Sequence, residues 1–146
     1  MIPILLAYGL FMQPRLRRAS EQGMRAGAQK NATLVEALVA VGFEREQIEV
    51  NEEAVALYGY QGDVRAQKAH VVIRRQHVGS AANDVGWERM PDGMYRAWIS
   101  EYDGRHRFDQ AMQNRIKQEY AYQVIKRHAR AQGRSITRER LPSGEI

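Results

Sequence analysis

Two periodicities follow one another in this chain, and their order limits the fold more than any figure of composition. Between Ile48 and Ile99 apolar residues recur at every second position in short runs: Ile48 and Val50, Val55 and Leu57, Val71 and Ile73, then the arms VGWER and MYRAWI. Alternation of this kind places successive side chains on opposite faces, so each run reads as a half-buried strand. Gly59 and Gly62 frame a turn, with His70 to Arg75 as the strand after it. Asp92-Gly93 marks a tight hairpin, read as a type I′ turn with positive φ at both central residues. From Phe108 to Gln132 the period becomes helical. Tyr120, Ala121, Val124 and Ile125 fall within about 140° of arc, opposite Arg115, Glu119, Gln123, Lys126 and Arg130.

A second, shorter helix precedes the strands. Asn31 is placed to cap ATLVEALVAVGF, in which Leu34, Leu38 and Val41 share a face and Gly42 supplies the stop. Gly133 ends the long helix, and Ser135 to Leu141 (SITRERL) reads as a last strand. Strands grouped between helices predict an α+β fold: a single antiparallel sheet of about five to six strands, with the short N-terminal and the long C-terminal helix packed on one face.

At 146 residues the chain has room for one ordinary domain. Residues 1–30 read as an apolar segment, MIPILLAYGLFM, and a basic connector; residues 31–146 read as a single α+β domain. The apolar run is shorter than the roughly 20 residues a spanning helix requires, and its arginines follow it instead of preceding it as in a secretory signal. A strand or short helix against the domain, or a contact between copies, is expected, and no membrane association. With no cysteine there are no disulfides or thiolate metal sites, consistent with a cytoplasmic location.

The residues offer little for catalysis. Gly59-Tyr60-Gln61-Gly62 is formally GxxG, but strands flank it where a nucleic-acid clamp of that form needs helices, and no Gly-Lys-Ser/Thr follows. It reads as a turn, or as an exposed loop presenting Tyr60, Gln61 and Arg65 to a ligand or partner. His70, His77, His106 and His128 lack metal-ligand spacing, and His128 reads as a core histidine beside the apolar face. The serines have no nucleophile context. Asp103, His106 and Asp109 lie close enough in sequence for proton transfer, although Asp109 equally suits the helix N-terminus. No enzyme, cofactor or metal is expected.

Charge is the stronger lead. The chain carries a net +5, and Arg115, Lys126, Arg127, Arg130 and Arg134, with Tyr122 at their edge, mark a candidate interaction surface on the long helix; Lys117, Arg138 and Arg140 extend it, with Arg74, Arg75, Arg105 and Arg107 as possible additions. An acidic patch, Glu44 to Glu53, stands apart from it. Docking to a protein assembly is the first reading. Tracking of an RNA or DNA backbone, with Tyr122 stacked on a base, is the alternative.

GYQG, KAHVVI, VGWERMPDGMYRAW and KQEYAYQVIKRHARAQG together resemble the hypothetical chloroplast reading frame thirty-five family of plastids, cyanobacteria and other bacteria, a domain of unknown function. Proteins of that kind are often encoded beside AAA+ ATPases, so the resemblance implies a non-enzymatic adaptor role and an AAA+ partner. Family members usually have a shorter gap before the first helix, and one more strand after the final turn. Without that strand a sheet edge is expected to stay unpaired unless a loop, a second copy or a partner covers it.

Overall fold

The computed structural model describes residues 2–6 and 31–138. The body of the sheet is four antiparallel strands: β2 (Ile48–Tyr58), β3 (Val64–Ile73), β4 (Val85–Arg89) and β5 (Tyr95–Ile99). The N-terminal strand β1 (Ile2–Leu6) adds a fifth by pairing with β5, giving the order β1-β5-β4-β3-β2. Helix α1 (Ala32–Ala40) precedes β2; short α2 (Arg75–Val78) and α3 (Glu101–Gly104) follow β3 and β5; α4 (Gln110–Ala131) closes the order. The architecture is the expected α+β arrangement, with the short and the long helix packed together over one sheet face.

That face holds the core. Val71, Ile73, Val85, Trp87, Tyr95, Ala97 and Ile99 from the strands meet Leu34, Leu38 and Val41 from the first helical stretch and Ile116, Tyr120 and Val124 from α4. Phe108 enters between Phe43, stacked at 5.7 Å, and Trp87, edge-on at 6.0 Å. It thereby seats the start of α4 before the helix begins. Asp109 then caps α4 by accepting from the Met112 N–H. Glycines with positive φ at Gly42 and Gly133 end α1 and α4.

Several expectations shift. Asn31 sits at the N-cap position of α1 but makes no side-chain cap; it is buried and accepts from the Tyr95 hydroxyl. The runs at Ile48 and Val55 are one strand, because register irregularities let β2 bend without breaking. β3 starts earlier than His70 and ends before Arg74, whose guanidinium is drawn to Glu49 and Asp84. The hairpin is not type I′: only Gly93 has positive φ, and the Met90 C=O accepts from Gly93 while the Met90 N–H donates to Met94. This is a type I turn closed by a glycine bulge, the geometry that Pro91 favours. Residues 134–138 form no strand; the rest of that expected strand lies outside the described residues. On α4 the buried stripe is Gln113, Ile116, Tyr120 and Val124, leaving Ala121 and Ile125, one position further round, exposed, while Glu119, expected on the polar side, is buried where Arg138 pairs with it.

The outer face of the sheet carries a smaller cluster. Leu57, Ala69 and Val72 are fully buried there against Val55 and Trp98. The distal half of the β2–β3 hairpin curls over β4, and Gly86 permits the approach. A Cβ at that position would lie 2.5 Å from the Ala69 Cβ and 3.0 Å from a Leu57 methyl. The Asp84 N–H donates to the Tyr58 carbonyl and closes the curl. The Tyr60 turn is therefore carried to the loops that flank β4 and β5.

Candidate functional site

The curl places three segments distant in sequence around one cleft: the Tyr60–Arg65 turn, the Ala81–Asn83 loop, and Ser100–Tyr102 at the start of α3. Its floor is a closed polar network. The Asn83 amide oxygen accepts from the Tyr60 N–H (2.9 Å) and Arg65 Nη2 (3.0 Å). The Asn83 amide nitrogen donates to Ser100 Oγ (2.8 Å) and Asp103 Oδ2 (3.2 Å), and Ser100 Oγ donates to the same carboxylate oxygen at 2.7 Å. Asn83, Ser100 and Asp103 are all buried, and each pays its desolvation through the others.

Beside this floor, Asp84 anchors the hairpin. Its carboxylate accepts from the Tyr58 N–H, the Arg75 N–H and Arg74 Nη1, each at 2.8 Å. Arg74 also donates to both oxygens of Glu49, at 2.9 and 2.8 Å, and to the Ala56 carbonyl. The Arg74 hydrogen bond holds the Glu49 carboxyl below the usual glutamate range despite partial burial, and Glu49 and Asp84 raise the Arg74 pKa in return.

The walls are more open. Tyr60 is 52% and Tyr102 39% exposed. Tyr102 stacks on His106 at 4.0 Å, and the Tyr60 carbonyl accepts from Arg75 Nη1. Gly59 lets the turn close: a Cβ there would meet the Asp63 carboxylate at 2.5 Å and Arg65 Nε at 2.7 Å. Gly62 alone of the two turn glycines takes positive φ, at 82°. Gln61 is exposed and donates to the Tyr60 hydroxyl. Of the residues proposed for this turn, Tyr60 and Arg65 line the cleft and Gln61 stands outside it.

Asp103, His106 and Asp109 do not form a proton-transfer group. Asp103 is committed to Asn83 and Ser100, the His106 ring nitrogen lies 2.7 Å from the Tyr102 carbonyl, and Asp109 caps α4. His128 is exposed, not in the core, and its ring lies 3.3 Å from the Gln132 amide. Among the described residues no group of three or more His, Cys, Asp or Glu could hold a metal ion.

Arg115, Lys126 and Arg130 share one face of α4, as their spacing requires, while Arg127 turns about 100° away from Lys126. Arg115, Arg127, Arg130 and Arg134 are exposed. Tyr122 does not offer a free ring: Arg138 lies over it at 4.0 Å and Lys126 at 5.9 Å. Arg138 also pairs with Glu119, the sole carboxylate of α4, at 2.8 Å. Segment 136–138 thus runs back along the helix and leaves a groove of about 580 Å³, lined by Gln118, Ala121, Tyr122, Ile125, Ile136, Thr137 and Arg138. The further arginines considered for the basic face each have a partner of their own, Arg75 donating to the Tyr60 carbonyl. Arg74 serves Asp84, Arg105 pairs with Glu101, and Arg107 covers the Phe43 ring at 4.5 Å.

A family model described as a protein of unknown function (DUF1257) matches residues 37–143. The chain belongs to that family. No curated protein and no solved structure matches it. The matched span contains both the cleft and the whole of α4.

Asn83, Ser100 and Tyr102 were not legible as site residues, because Asn83 lies in one loop and Ser100 and Tyr102 follow a later strand, and only the curl of the sheet brings the Tyr60 turn to them. One signal was present. Ser100-Glu101-Tyr102-Asp103 has the spacing of a helix-capping pair, and Ser100 does accept from the Asp103 N–H.

Proposed function

We propose that this protein is a non-enzymatic docking module, a divergent member of the chloroplast reading frame thirty-five group, that takes an acidic segment of a partner protein on α4. The observation that carries the reading is Ile125, 54% exposed in the wall of an apolar-sided groove on a cationic helix. Completing its burial contributes about 1–1.5 kcal/mol, roughly half the value for a whole isoleucine side chain. The one carboxylate of α4 is neutralised by Arg138, whereas Arg115, Lys117, Lys126 and Arg130 remain as cations; Arg127, about 160° round from Ile125, faces away from the groove. Apolar side chains flanked by Asp or Glu fit this surface. The family resemblance points to an AAA+ ATPase as the source of such a segment.

The nucleic-acid alternative is less well supported, because Arg138 already occupies the ring on which a base would stack. Fluorescent peptides with leucine, isoleucine or phenylalanine between acidic residues should bind the full chain saturably, and Ile125→Glu should abolish binding without altering the circular dichroism. Unchanged affinity in that variant would overturn the proposal. Binding of generic RNA that falls steeply with salt and requires Arg115, Lys126 and Arg130 would replace it with backbone tracking. Concentration-dependent self-association lost in the same variant would assign the groove to a second copy.

A further inference from the structure

We infer that the cleft between Tyr60 and Tyr102 binds a small aromatic carboxylate, a site separate from the α4 groove. Its volume of about 480 Å³ suits one small molecule. The floor is preformed, since Asn83, Ser100 and Asp103 satisfy one another and hold the three contributing segments together. The walls supply two tyrosine rings: that of Tyr102, stacked on His106, and that of Tyr60, whose backbone is anchored to Asn83 and Arg75. The stacked Tyr102 ring loses little freedom on binding, and an aromatic guest gains from stacking or edge contact.

The charge of the ligand follows from Arg65. Its Nη2 serves Asn83, and its Nε lies 3.1 Å from an Asp63 carboxylate oxygen but makes no hydrogen bond. No hydrogen bond from Nη1 is made among the described residues, so that end of the guanidinium is available to an anion. Asp63 and Glu101 bring two carboxylates to the same surroundings, Glu101 in the wall of the cleft itself. They limit the charge the cleft can accept, favouring a single carboxylate over a phosphate dianion.

The test is an amide chemical-shift titration of the full chain with indole-3-carboxylate, indole, acetate and inorganic phosphate in parallel. Indole-3-carboxylate should produce saturable shifts at residues 60–65, 81–83 and 100–102, and the other three should bind at least about tenfold more weakly, as loss of one charge-assisted bond or one ring contact implies. Arg65→Gln should weaken it by about tenfold or more. Because Arg65 also supports Asn83, Tyr102→Ala provides the second variant; it removes a wall and leaves the floor network intact. Absence of saturable shifts, shifts confined to other residues, equal response to indole alone, or undiminished binding in Tyr102→Ala would each overturn the assignment.

Discussion

Gly86→Ala tests the contact that brings the cleft together. The added methyl would lie 2.5 Å from the Ala69 Cβ and 3.0 Å from Leu57 Cδ2, and both neighbours are fully buried. Apolar carbons rest at about 3.5–4.0 Å, so the first contact must open by about 1 Å. Leu57 can yield by rotating its terminal methyls. The Ala69 Cβ cannot, because it is bonded directly to the β3 backbone, so β3 must lift from β4 as a unit. Overpacking of this kind costs about 2–3 kcal/mol, which for a chain of this size lowers Tm by about 6–9 °C. The same displacement should weaken binding in the cleft, since Tyr60 and Arg65 ride on the hairpin. Urea unfolding followed by circular dichroism and tryptophan fluorescence gives the stability of each variant. Ala69→Gly should cost about 1 kcal/mol alone and recover at least about 1 kcal/mol when combined with Gly86→Ala, a coupling expected only of residues in contact. A Gly86→Ala protein within about 0.5 kcal/mol of the parent, or strict additivity in the double variant, would refute the reasoning.

Asp84→Ala should destabilise by about 3–5 kcal/mol in the same assay, because it leaves the Tyr58 N–H, the Arg75 N–H and a guanidinium edge without their buried acceptor. Glu49 titrates below its ordinary range when folded, so its contribution is present above the unfolded value of about 4.3 and is lost as pH falls through the lower folded value. Its half-exposed position keeps that contribution under about 1 kcal/mol, and Glu49→Gln should flatten the acid arm of a stability–pH profile by that amount. At the alkaline end, burial pushes Tyr95 up to about 12 and Tyr120 higher still. Stability from both is present below about pH 10 and lost as pH rises toward the folded values. Absorbance at the phenolate band should therefore show these two tyrosines ionising only as the fold is lost, with Tyr95→Phe reducing the alkaline slope.

Much of the fold was open to reading because its signals are local. Leu34, Leu38 and Val41 are buried as their spacing requires, and Gly42 and Gly133 end the helices they follow. Errors arose where a distant partner outweighed a local preference. Asn31 gave up a cap for Tyr95, and Arg74 left its strand for Asp84. Ile125 belongs to the apolar arc of an isolated helix, yet the sheet lies under Ile116 and Tyr120, about 100° or more round from it.

The candidate sites divide along the same line. Sequence alone determined the antiparallel α+β class, the positions of its turns and the positive charge of the long helix, because periodicity, turn chemistry and charge depend on neighbours within a few residues. Where that charge is free depends on packing between distant segments. Glu119 and Tyr122 are engaged by Arg138, across the bend at Gly133. Likewise, Gly86 reads as an ordinary strand glycine until the hairpin folds over it. The cleft exists because a missing Cβ admits Ala69 and Leu57, and that approach joins residues separated by the length of the sheet.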